Sequence, residues 1–187
     1  MERKDFWKRF IPIVGETIPL FRNKPSPGNG WLDAYGEIYY FNISTQEKSV
    51  AVYICIEKGS KKENEKIYLA LKKYEDEIDS LFGSMLVWQG DENRREKGGE
   101  KNDSFRIYYQ YESRLNYRNE MDFEKITDFL IPSMAKLIEI FDKYFELIEI
   151  LNEKTIDMSK IDKILSRINR GKEDFEQKFG KRKIRIF

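Results

Sequence analysis

The segment SVAVYICIE, Ser49 to Glu57, puts Val50, Val52, Ile54 and Ile56 on one parity and Ala51, Tyr53 and Cys55 on the other. A strand sends alternate side chains to opposite faces, so both faces of this one are apolar, and it belongs in the middle of a sheet. Its neighbour upstream is close at hand. Asp33 to Ile43 also alternates, with Tyr35, Tyr39, Phe41 and Ile43 on one side and Ala34, Ile38 and Tyr40 on the other, and STQEK supplies the turn between them. Downstream, MLVW (Met85–Trp88) and Ser104 to Ser113 read as a second hairpin, separated by the polar run QGDENRREKGGEKND. Phe105, Ile107, Tyr109 and Tyr111 share one side of its second strand.

Helical periodicity fills the intervals. Ser60 and Glu63 have capping-box spacing. Ile67, Leu71, Tyr74, Ile78, Leu81 and Phe82 then recur as one helical face, and Gly83 stands where a left-handed C-terminal residue belongs. From Asp122 to Leu151 a long amphipathic helix carries Phe123, Ile126, Leu130, Leu137, Phe141, Tyr144, Phe145 and Ile148, with a kink expected at Pro132. Phe6, Trp7, Phe10 and Val14 predict a short N-terminal helix followed by irregular chain, because Pro12 and Pro19 interrupt it. Asp157 or Ser159 caps a last helix bearing Ile161, Ile164, Leu165 and Ile168, with Gly171 at its end, and KRKIRIF closes the chain as an edge strand or tail. The expected architecture is an α+β two-layer sandwich: a mainly antiparallel sheet of about four strands in two hairpins, with helices on one face. Residues 1–151 form this domain and residues 152–187 a basic helical extension.

Composition narrows the chemistry. The 187 residues include no histidine and one cysteine, Cys55, so an internal disulfide, a cysteine-rich zinc site, a histidine-ligated metal and a Ser-His-Asp or Cys-His centre are excluded. No cofactor or metal is expected. No apolar run is long enough to cross a membrane, and MERKDFWKRF lacks the apolar core of a secretory leader, so a cytoplasmic location without membrane contact is expected. Net charge is +1, but from Lys160 to Phe187 ten basic residues face four acidic ones, which leaves the rest of the chain acidic.

With FWKRF (Phe6–Phe10), the loop ending in GW, the hairpin ending in VAVYICI and the helix closing on IDSLFGSMLVW in place, the chain resembles an uncharacterised prokaryotic domain family. Members of that family often follow restriction-endonuclease-like nuclease domains. The landmarks are Trp7, Trp31, Trp88, Arg106 and Ile107, and the similarity spans Met1 to Ile148. It implies an accessory module in a DNA-processing or defence setting. Pro12 and Pro19 depart from the uninterrupted first helix that the family implies.

Several segments compete as sites. The loop NKPSPGNG, Asn23 to Gly30, lacks the lysine of a phosphate loop and precedes a strand where such a loop precedes a helix, so it is read as a turn, with Trp31 as a core anchor. A metal-dependent nuclease needs an Asp and a Glu-x-Lys on adjacent strands; Asp33 and Glu37 open one strand, but Glu57 and Lys58 are neighbours and point to opposite faces. FRIYYQYESRLNYR interleaves Tyr108, Tyr109, Tyr111 and Tyr117 with Arg106, Arg114 and Arg118, the composition of a stacking surface for single-stranded nucleic acid, although strands favour tyrosine without any ligand. Lys160, Lys163, Arg167 and Arg170 share one helical face, and Lys181, Arg182, Lys183 and Arg185 add charge beyond it, as a contact to nucleic-acid phosphates would require; a solubilised helix docked on the domain has the same pattern. The rival expectation is association with a partner or as a homodimer through Phe141, Tyr144, Phe145, Ile148 and Leu151 of the long helix. The expected function is thus non-enzymatic binding or assembly, with nucleic acid as partner or, alternatively, protein; a divergent metal-dependent nuclease is the second alternative.

Overall fold

The computed structural model describes residues 1–35, 39–46, 49–57, 60–90, 105–111, 115–152, 163–164 and 166–167. Among the described residues five antiparallel strands form one sheet in the order β1-β2-β3-β5-β4: β1 Trp31–Tyr35, β2 Tyr40–Gln46, β3 Ser49–Ile56, β4 Val87–Gln89 and β5 Phe105–Gln110. The strand with two apolar faces, β3, is central as its pattern requires. The sheet has five strands where about four are expected, because Asp33 to Ile43 is two strands, not one. Tyr35 pairs with Tyr40, so these two strands run antiparallel to each other.

Among the described residues four helices supply the second layer: α1 Arg3–Thr17, α2 Lys61–Lys72, α3 Glu75–Phe82 and α4 Phe123–Asn152. The first is not cut short by Pro12 but runs through it. Pro12 and Lys8, whose carbonyl loses its amide partner, both lie on the exposed side, while Phe6, Trp7, Phe10, Ile11 and Val14 are buried; packing on one side outweighs one missing hydrogen bond on the other. Pro132 likewise sits on the exposed side of α4, which continues past it as one helix. The expected single helix between the hairpins is broken at Lys73–Tyr74 into α2 and α3. Its ends are as the sequence dictates: Ser60 and Glu63 form the capping box, and Gly83, at φ 77°, donates its N–H to the carbonyls of Asp79 and Ser80.

All four helices contribute to one core against the sheet face formed by Leu32, Ala34, Phe41, Ile43, Val52, Ile54, Ile56, Phe105 and Ile107. Tyr39 ties the β1–β2 connection to α4, its ring stacked on Phe145 at 3.6 Å and its hydroxyl donating to Asp142 at 2.7 Å. Phe141, Tyr144, Phe145 and Ile148 are all buried in this core, so the long helix keeps no surplus apolar face among the described residues for a partner. The side chain of Leu151 lies outside the described residues. The opening loop has a scaffolding job: the carbonyl of Gly30 accepts the Thr45 N–H at 2.8 Å, and a Cβ on Gly30 would lie 2.6 Å from the Thr45 carbonyl oxygen.

Candidate functional site

Strand alternation gives the sheet a second face, opposite the helices, and among the described residues the cluster on it consists of strand residues. Three rows cross it. Trp31, Ser44, Ala51 and Gln110 form one; Asp33, Asn42, Tyr53, Tyr108 and Val87 the next; Tyr40, Cys55, Arg106 and Gln89 the third. Tyr53 stacks on Tyr108 at 4.9 Å and meets Trp31 at 5.2 Å, and the Arg106 guanidinium lies 5.8 Å from the Trp31 ring centre. Ala51, Tyr53 and Cys55 are buried beneath this layer, whereas Trp31, Tyr40, Arg106 and Tyr108 are half-buried. At the margin Val87 is exposed.

The face is aromatic but not purely apolar. Asn42 donates its side-chain amide to Asp33, and the Tyr40 hydroxyl donates to Glu57 at 2.7 Å. Asn42 Oδ1, Ser44 Oγ and Arg106 Nε are buried without a hydrogen-bond partner among the described residues. Burial pushes the Cys55 thiol up to about 11, against the pull of Arg106 in the other direction, so it stays protonated at neutral pH. Burial also raises Tyr53 to about 12, and Tyr40 is raised further by burial, by Cys55 and by Glu57.

The aromatic residues named from sequence therefore separate. Tyr108 and Arg106 lie on the second face, whereas Tyr109 and Tyr111 face the helices, Tyr109 against Phe82 and Phe129 at 4.9 and 5.4 Å and Tyr111 against Phe129 at 5.0 Å. Trp31 and Tyr53 take their place beside Tyr108. Trp31 is not the core anchor expected from its position at the loop exit. Neither residue is among the site residues expected from sequence, although their parity with Asp33 and Cys55 is legible there.

Of the basic extension, Lys163 and Arg167 are described, and both are exposed. Arg167 is salt-bridged to Glu146 of α4, and Ile164 is buried in the main core, so this turn docks on the domain. Lys160, Arg170, Lys181, Arg182, Lys183 and Arg185 lie outside the described residues, as do Arg114, Ile161, Leu165 and Ile168. A depression of about 320 Å³ beside α1, lined by Ile11, Pro12, Gly15, Glu16, Arg22 and Asn23, offers one carboxylate and one guanidinium, the latter turned toward the Gly15 carbonyl. Among the described residues no three acidic or cysteine side chains converge as a metal site needs, and no helix is long and apolar enough to cross a membrane.

The fold defines the class, an α+β domain built on one helix-backed antiparallel sheet. Its family follows from residues 2–145, which match the model of the domain of unknown function DUF4268, and the chain belongs to that family. The matched span agrees with the Met1–Ile148 coverage of the sequence landmarks. No curated protein matches the chain. Of those landmarks, Trp7, Trp88 and Ile107 lie in the core, whereas Trp31 and Arg106 meet on the second face.

Proposed function

We propose that this protein is a non-enzymatic assembly module, accessory to nuclease domains in the DNA-processing or defence setting that the resemblance implies, and that it binds protein through the second face of its sheet. One observation carries the proposal: Trp31, Tyr40, Tyr108 and Arg106 stand together, half-buried, on the sheet face opposite the helices. Trp, Tyr and Arg dominate the energetics of protein interfaces because they bury large areas and keep a polar end. Val87 extends the patch with exposed aliphatic surface. Asp33 and Glu57 on the same face oppose a phosphate backbone, which favours protein over nucleic acid as the partner. A thiol held protonated is a poor nucleophile, which favours binding over catalysis.

The test is a pair of variants in the full chain, Tyr108→Glu and Val87→Lys, checked for unchanged circular dichroism. Association with protein, whether a second copy or a partner retained from a prokaryotic lysate, is expected for the wild type and lost in both variants. Association indifferent to both substitutions overturns the proposal. So does salt-dependent binding of single-stranded or duplex probes that Lys163→Glu abolishes, because the ligand is then nucleic acid and the surface the extension.

A further inference from the structure

We infer that the partner of the second face is a second copy of this chain, packed face to face across a two-fold axis; the inference rests on the protein-binding proposal above and names its partner. A two-fold contact sets one patch against itself, so each charge in the patch must find its opposite within the same patch. Two charges of this face, Arg106 and Glu57, meet that condition, while Asp33 accepts the Asn42 side-chain amide within its own copy. Arg106 lies over the Trp31 ring with no carboxylate partner among the described residues. Glu57 is exposed, accepts the Tyr40 hydroxyl, and has no cationic partner among them either. Cys55 is paired in register with Arg106, and Glu57 is the next residue of that strand on the same side, so the two charges stand one strand apart at one end of the face.

With the axis between them, Arg106 of one copy meets Glu57 of the second copy, and the same contact repeats on the other side. Tyr40, Tyr53 and Tyr108 surround the axis and become the apolar centre. Aligned sheet-on-sheet packing is an established way to close two such faces. The available footprint is modest: five strands about 4.8 Å apart and about five residues long span roughly 24 Å by 17 Å. That is roughly 400 Å² per copy, below the standard size of specific interfaces and in the range of weak, transient ones, so the dimer is expected to dissociate in the micromolar range or above.

Charge exchange tests it. Sedimentation velocity of the full chain is expected to show a monomer–dimer equilibrium for the wild type. Arg106→Glu alone places Glu against Glu twice, and Glu57→Arg alone places Arg against Arg twice, so each variant is expected to be monomeric. An equimolar mixture of the two restores both opposite-charge contacts and is expected to dimerise again. Should Arg106→Glu not fold by circular dichroism, Arg106→Gln serves in its place, with weaker self-association as the expected result. A wild type that stays monomeric well above micromolar concentration, variants that dimerise like the wild type, or a mixture that remains monomeric overturns the inference. If the wild type is monomeric while Tyr108→Glu abolishes capture of a different protein, the inference falls and the proposed function stands; if Tyr108→Glu changes no association at all, both fall.

Discussion

Cys55 shows how far one residue follows from its surroundings. Its position in SVAVYICIE made it a packing residue, and it lies 2% exposed at the centre of the second-face cluster. Its thiol pKa is raised from 9.0 to about 11, so the folded chain holds this proton longer than the unfolded chain does. The stability that the neutral thiol contributes is therefore complete below about 9 and is lost as pH rises from 9 toward 11. Iodoacetamide at pH 8 is expected to leave Cys55 unmodified in the native protein and to label it on unfolding in urea; rapid labelling of the native chain contradicts the burial. Side-chain parity told Tyr108 from Tyr109 in the sequence, since neighbours in a strand face opposite ways. What spacing left open was which tyrosines meet residues far along the chain, such as Trp31, and that is decided by strand pairing.

At the level of elements, local chemistry was the most legible. The Ser60–Glu63 box and Gly83 mark their helix ends in the structure as in the sequence, because capping depends on residues three or four apart. Pro12 misled for the opposite reason: its local cost is offset by distant packing, with Phe6 against Tyr117 and Phe123 at 6.2 and 5.5 Å. Asp79 was invisible as a joint. Its carboxylate accepts the Leu86 backbone N–H at 3.2 Å and the Trp88 indole N–H at 3.3 Å, and so fastens α3 to the start of β4. Burial raises its pKa in spite of these two bonds. Asp79→Ala leaves both donors without their acceptor and is expected to cost about 1–3 kcal/mol. Thermal unfolding checks it: the melting temperature should fall by several degrees, and Asp79→Asn, which keeps one acceptor oxygen, should fall less. An Asp79→Ala chain that melts with the wild type removes the joint from the account.

For the whole molecule, the two-layer plan was legible because each strand and helix announced which side was apolar, but the strand order was not. Nothing local in FRIYYQ says that it lies against SVAVYICI with MLVW outside it. The plan also sorts the three tryptophans: Trp7 and Trp88 are 0% and 9% exposed, and Trp31 alone is half-buried on the second face. Acrylamide is therefore expected to quench chiefly Trp31 in dilute protein, less so as concentration rises and copies pair, and Trp31→Phe should remove most of the quenchable emission. A Trp31→Phe chain quenched as strongly as the wild type would contradict this arrangement. The strand order has a kinetic side as well. β1, β2 and β3 follow one another as a meander that closes over short turns, on the microsecond scale of hairpins. β5 reaches β3 only after about fifty residues of intervening chain, so the far half of the sheet joins late, and until it does the backbone edge of β3 is open to any extended chain that meets it during synthesis.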